Sequence, residues 1–234
     1  MNFFGGTMGA KEAIFSKETF QFFRELKRNN KKEWMDENRE RYQEVVVKPL
    51  KRLLEEMAPS VLKLDQRFET TGARGANFSR INRDIRFSKD KTLYKDNMYV
   101  KFPFTEGALE DGGELYAGVS EKTATAGFRI YGASKRKEST LVLVAQPRIE
   151  KNPKWLAQQK KKLGRKYESY WYSNVKGQWT ANHGWPTNAD WPKLQAWVVR
   201  KKLSTSAAAR PSYPSDLAKI FRDLYPLAKF VSLE

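Results

Sequence analysis

Six cations and two carboxylates fall within the sixteen residues from Arg80 to Lys95. The cations are Arg80, Arg83, Arg86, Lys89, Lys91 and Lys95, the carboxylates are Asp84 and Asp90, and the net charge is +4. Arginine stays ionised and presents a planar fork that meets phosphate or carboxylate with two hydrogen bonds. If residues 82–87 are extended, Asp84 and Arg86 share a face and Arg83 takes the other. If they turn tightly, Arg80, Arg83 and Arg86 align at threefold spacing. Either geometry leaves several guanidiniums within reach of Asp84, which would hold them in place. The expected chemistry is an anion site. Arg80, Arg83, Arg86 and Asp90 are the candidate ligand-binding residues, and Lys91, Tyr94 and Asp84 are the candidate catalytic groups. The competing reading is an ion-pair network that only fixes a loop, which would carry about as many carboxylates as cations. Ile81, Ile85 and Phe87 interleave with the charges, so Asp84 is expected to be partly buried and its loss costly.

Other chemistries have less to stand on. The chain has no cysteine, which removes disulfides, thiolate nucleophiles, iron–sulfur clusters and thiolate zinc sites. Its one histidine is His183, in Asn182-His183-Gly184-Trp185. No Gly-x-Ser-x-Gly elbow accompanies it, and it reads as a hydrogen-bonded structural residue. No Gly-rich phosphate loop or dinucleotide fingerprint is present. Asp84, Asp90 and Glu69 could hold Mg²⁺ beside Lys91, but their spacing matches no metal motif. No metal site and no cofactor are expected.

The whole chain is strongly basic. Lys and Arg number 44 against 27 Asp and Glu, a net charge of +17 over 234 residues. That balance favours anionic partners. Basic clusters recur at Lys135-Arg136-Lys137, Lys160-Lys161-Lys162 with Arg165-Lys166, and Arg200-Lys201-Lys202, two of them near aromatics. Phosphate contacts combined with stacking is how single strands are gripped without sequence preference. Lysines at helix C-termini also complement the helix dipole, which would explain the 160 and 200 clusters if both end helices. The N-terminus lacks a basic segment followed by a long apolar run, so no signal peptide is expected. The run Leu141–Ala145 is too short to span a bilayer. A cytoplasmic chain with no membrane partner is expected.

Periodicity indicates what must position the motif. Ser16 reads as a helix N-cap, followed by Phe20, Phe23 and Leu26 and ended at Asn29-Asn30. A second helix starts near Lys32 and carries Trp34, Asn38, Tyr42, Val45 and Val46, then Leu50, Leu53, Leu54 and Met57. Pro49 should kink or restart it. Met98, Val100, Phe102 and Phe104 alternate with polar positions as a strand does. Thr105–Gly113 reads as a loop, and Leu115–Ser120 and Ala124–Tyr131 as strands joined at Glu121-Lys122. Thr140–Ala145 is strand or helix, broken at Pro147. Asn152-Pro153 should start a helix that stops at Gly164. A hairpin is expected around Gly177, a helix from Asp190 carrying Trp191, Leu194, Trp197 and Val198, a loop over 204–214, and a last helix capped by Ser215 or Asp216. With 40% hydrophobic residues a core is available. The fold class is α+β: N-terminal helices, a mainly antiparallel sheet and C-terminal helices. The expected organisation is a loosely held segment over residues 1–12 and a single domain over 13–234.

The pattern R-x-x-R-D-x-R-F-x-x-D-K-x-x-Y is met by Arg80, Arg83, Asp84, Arg86, Phe87, Asp90, Lys91 and Tyr94. It resembles the signature of domain-of-unknown-function family 2461, bacterial proteins of similar length. Asn29–Trp34 and Pro226-Leu227 extend the resemblance over most of the chain, while Leu93 stands where a proline is frequent. The resemblance implies a place for the site and no reaction. The sequence therefore supports an arginine-rich pocket for a phosphorylated or carboxylated small ligand, with catalysis left open. The alternative is a nucleic-acid-binding module in which the same arginines grip backbone phosphate. A pocket would gather its cations in one concavity, whereas a nucleic-acid surface would spread them.

Overall fold

The computed structural model describes residues 12–73, 75–86, 88–105, 112–131, 140–175 and 178–232. Phe87, the 135–137 cluster, Gly177, the segment 106–111 of the expected loop and nearly all of the expected N-terminal segment lie outside them.

The chain begins with helix α1 (Lys17–Arg28). Ser16 starts it as expected: its hydroxyl accepts from the Glu18 N–H at 3.2 Å, while Thr19 Oγ1 accepts from the Ser16 N–H. Phe20, Phe22, Phe23 and Leu26 form its buried side. The next helical run is segmented: α2 (Lys32–Glu37), α3 (Arg39–Tyr42), a π-helical turn (Gln43–Val47) and α4 (Lys48–Leu64). The wide turn falls immediately before Pro49, whose missing N–H cannot close an α-helical ring there. Met35, Tyr42 and Val46 are buried, so this face of the run packs into the core.

Six strands follow: β1 (Asn97–Phe102), β2 (Glu114–Ser120), β3 (Thr123–Tyr131), β4 (Glu168–Val175), β5 (Gln178–His183) and β6 (Leu194–Ser204). They form one sheet in the order β1-β2-β3-β6-β4-β5, with every neighbouring pair antiparallel. Between β3 and β4 lie helices α5 (Thr140–Lys151) and α6 (Trp155–Leu163), and after β6 come α7 (Thr205–Ala208) and α8 (Tyr213–Ser232). Thr140–Ala145 is thus the start of a helix, which continues through Pro147. Asn152 and Pro153 make the turn before α6, with the Trp155 N–H donating to the Asn152 carbonyl at 3.0 Å. Ser204 caps α7 inside the segment expected to be a loop, and α8 begins at Tyr213, ahead of Ser215.

One expectation fails outright. The segment from Asp190 is a single 3-10 turn (Trp191–Lys193) leading into β6. Leu194, Ala196, Trp197, Val198 and Val199 are all buried, so the strand is covered on both faces and shows no polar alternation. Arg200–Lys202 therefore lies in a strand, and a helix dipole does not explain it. Lys160–Lys162 does occupy the last turn of α6.

One face of the sheet is the core. Val100 and Phe102, Leu115, Ala117 and Val119, and Ala124, Ala126, Phe128 and Ile130 alternate along β1, β2 and β3 and are buried. Helix α8 packs on β3 and β2, α4 on α8 and β1, and α5 on β6. The other face carries Lys101 and Arg129 and holds the site described next.

Candidate functional site

The motif is fixed against the edge strand by backbone hydrogen bonds. Asn77 is fully buried. Its side chain donates to the carbonyls of Glu69 (2.8 Å) and Lys101 (2.9 Å) and accepts from the Gly72 N–H (3.0 Å). The Ser79 N–H donates to the Tyr99 carbonyl at 3.1 Å, and the Tyr99 N–H returns to Ser79 Oγ at 2.9 Å. Residues 81–83 then pair with 93–95: the Arg83 N–H meets the Leu93 carbonyl at 2.9 Å, and the Lys95 N–H meets the Ile81 carbonyl at 2.8 Å. Asn30, just past α1, clamps the returning arm by donating to the Tyr94 carbonyl and accepting from the Tyr94 N–H, each at 2.9 Å.

This frame makes two adjoining cavities. The larger, about 740 Å³, is walled by six cations: Arg80, Arg83, Arg86, Lys95, Lys101 and Arg129. Among the described residues, Asp84 is the single carboxylate of its wall. The smaller, about 520 Å³, shares Arg83, Asp84 and Lys95 and adds Lys27, Asp90, Tyr94 and Asp96. The structure thus brings all three motif arginines and Asp84 to one concavity and places Asp90 and Tyr94 beside it.

The individual side chains are less uniform. Arg83 Nη1 donates to Asp90 Oδ2 at 2.5 Å and to Thr92 Oγ1 at 2.6 Å. The Thr92 N–H and hydroxyl, followed by Arg83, hold the Asp90 carboxyl below its ordinary range. Arg86 binds Asp84 through two nitrogens, at 3.0 and 2.7 Å. Lys91 donates to the Ile85 carbonyl at 3.0 Å and walls neither cavity. Tyr94 is 6% exposed and belongs to the core cluster. Among the described residues, Arg80 and Lys95 meet no carboxylate. Burial, then Arg129, Lys101, Arg80 and Arg83, push the Lys95 ammonium pKa down, as expected for a cation among cations.

Asp84 corrects an expectation. Its side chain is 60% exposed and that of its partner Arg86 76%. It orients Arg86 alone, because its Oδ1 also accepts the Arg86 N–H at 3.2 Å in a tight local turn. Ile81 is buried, but Ile85 is only half-buried, so the interleaved apolar residues cover one side of the loop and leave the charges in water. The Arg86 side chain, followed by its N–H, holds the Asp84 pKa at about 2. Exposed pairs are worth little, so Asp84→Ala should leave the Tm at neutral pH where an ordinary surface substitution leaves it. A large drop in a thermal melt would mean that Asp84 supports more than Arg86.

Three cations of the larger cavity are not motif arginines: Lys95, Lys101 and Arg129. Lys101 and Arg129 occupy outward positions of β1 and β3. The readable signal was an arginine inside the otherwise apolar run Ala126-Gly127-Phe128-Arg129-Ile130. Arg129 sits between two tyrosine rings, 4.8 Å from the centroid of Tyr99 and 4.6 Å from that of Tyr116, and donates to Glu114 at 2.6 Å. The other chemistries find no such assembly. Glu69 is turned to Thr71, and among the described residues no three His, Asp or Glu side chains gather as a metal-binding set. His183 is exposed and ends β5. No helix among the described residues is long and apolar enough to cross a membrane.

The family model of the conserved hypothetical proteins DUF2461 matches residues 18–230. The chain belongs to that family. The match runs through α1, the motif, the whole sheet and most of α8, so both walls of the cavity are DUF2461 sequence. The family description carries no activity, and no curated protein matches the chain at a significant level.

Proposed function

We propose that this protein binds a phosphorylated or carboxylated small ligand in the cavity between the motif and the edge of the sheet. The observation that carries the reading is the composition of one wall, six cations against one carboxylate among the described residues. Neighbouring cations raise one another's energy, and a half-buried ammonium such as Lys95 recovers little of it from solvent. An anion in the cavity supplies the missing counter-charge. Arg80 and Lys95 are its first contacts, since they give up no existing carboxylate partner. Arg83 follows, held in place by Asp90 and Thr92. The gathering of these arginines in one concavity favours a compact anion over backbone phosphates strung along them.

The test is a calorimetric titration of inorganic phosphate and of small phosphorylated and carboxylated metabolites into the protein. Arg80→Ala and Arg83→Ala should each weaken the bound anion about 10- to 100-fold, the worth of one charged hydrogen bond. Neutralising Lys160–Lys162 should change nothing. If the lysine cluster variant loses the anion while Arg83→Ala keeps it, the cavity is not the site.

A further inference from the structure

The face of the sheet that carries Arg129 has its own composition. Strand register places Tyr131, Ala196, Tyr172 and Ala181 in one row across β3, β6, β4 and β5. The next row runs Arg129, Val198, Tyr170 and His183, and the one after it Gly127, Arg200 and Glu168. Trp179 belongs to the same face, two residues from Ala181. Among the described residues the two exposed large hydrophobic side chains are Tyr131, 43% exposed, and Trp179, 44%. Both lie here. Tyr172 joins Trp179 to Tyr170, its ring 5.9 Å from each, and Tyr131 stands in the same row across Ala196.

Cations run beside the rings. The Arg200 guanidinium lies 4.9 Å from the Tyr170 centroid. Arg200 and Lys202 share one carboxylate, Glu168, which leaves them a net positive charge. The same two residues wall two shallow hollows, one of about 330 Å³ reaching Tyr99 and Gly118, the other of about 410 Å³ reaching Tyr170 and His183. They therefore form the bridge of a track along β6.

We propose that this face binds single-stranded nucleic acid, with bases stacked on Tyr131, Tyr172 and Trp179 and phosphates on Arg200 and Lys202. Neighbouring strands lie about 5 Å apart, so Tyr131 and Tyr172 stand about 10 Å apart across Ala196. Ala196 between them is itself fully covered, so bases meet the outer surfaces of the rings rather than a slot between them. Aromatic platforms accept any base because every base has a π-face, and adjacent arginines add phosphate and cation–π contacts. A duplex keeps its bases stacked inside and offers these rings nothing. The surface adjoins the cavity of the motif arginines at Arg129, but Tyr131, Tyr172, Trp179, Arg200 and Lys202 do not wall that cavity, and neither assignment needs the other.

Fluorescence anisotropy with a labelled oligothymidylate of about 12 nucleotides tests this at about 150 mM salt, where weak surface attraction is screened. Tyr131→Ala and Trp179→Ala should each weaken binding about 10- to 100-fold, the loss of one stacked base. Trp179→Phe should retain most of the affinity, which separates stacking from damage to the fold. Lys202→Ala should lower the slope of log K against log salt by about one unit. Lys161→Ala, an equal charge on α6, should cost no more than about twofold. Wild-type affinity in both alanine variants would overturn the proposal. So would equal affinity for a duplex of the same length, or for an anionic polysaccharide bound independently of the two rings.

Discussion

Replacing Glu114 with alanine should lower the unfolding free energy by about 3–5 kcal/mol, the cost of removing one partner from a buried ion pair. The side chains of Glu114 and Arg129 are only 16% and 14% exposed, and the bond between them is 2.6 Å. The arginine cannot neutralise itself by losing its proton. The faces of Tyr99 and Tyr116 offset part of its charge, but no second carboxylate is paired with it among the described residues. Glu114 also stands 4.0 Å from Lys101, so its loss removes the paired carboxylate of two of the cavity's cations at once. Urea unfolding with an unchanged m-value is the measurement. The double variant Glu114→Leu, Arg129→Met should recover much of the loss, because an apolar pair of similar volume leaves no charge behind. A Glu114→Ala protein within about 1 kcal/mol of wild type would mean that the pair is solvated like a surface pair. In that case the wall of the cavity would also be wetter than the packing indicates.

Where structure is set by nearby residues, the chain could be read directly. Ser16 caps α1 because its oxygen reaches a backbone N–H two residues on. The hairpin at Glu121-Lys122 follows from two alternating runs separated by polar residues. β1 alternates because one of its faces is core and the other is not. β6 was hidden for the opposite reason. Trp191, Leu194 and Trp197 fall at helical spacing, while the tyrosines and arginines of the open face cover Ala196 and Val198 and erase the polar positions that mark a strand. The site divides in the same way. Arg80, Arg83, Arg86 and Asp84 stood out because they are close in sequence. Lys101 and Arg129 did not, since strand pairing through β2 is what brings them to the motif, and no local pattern encodes that pairing. The burial of Asp84 was misjudged because interleaved apolar residues set which face is covered, and only the fold decides whether a charge lies on it.

Gly127→Ala should cost about 3 kcal/mol, the upper end of what overpacking does, and Gly118→Ala distinctly less. A Cβ added at Gly127 would lie 2.4 Å from the Val199 carbonyl oxygen and 2.9 Å from the Arg200 Cα. Those are backbone atoms of the adjoining strand, so relief requires moving β3 and β6 apart at the centre of the sheet. The ladder from Thr123 to Tyr131 that joins them resists such a shift along its whole length. At Gly118 the added atom would meet the Tyr99 ring at 2.3 Å. That is also too close, but a ring at the edge strand swings on its own side-chain torsions. The price of that swing is the contact between Tyr99 and Arg129. The two variants should therefore separate fold from site. Gly127→Ala should melt early, whereas Gly118→Ala should stay folded and respond less to added phosphate, because Arg129 has lost one of its flanking rings. Thermal melts of both variants, with and without phosphate, read the two effects together. A Gly127→Ala protein as stable as wild type would show that β3 and β6 yield more readily than their close approach indicates. A Gly118→Ala protein with an undiminished phosphate response would show that Tyr99 does not help to aim Arg129 into the cavity.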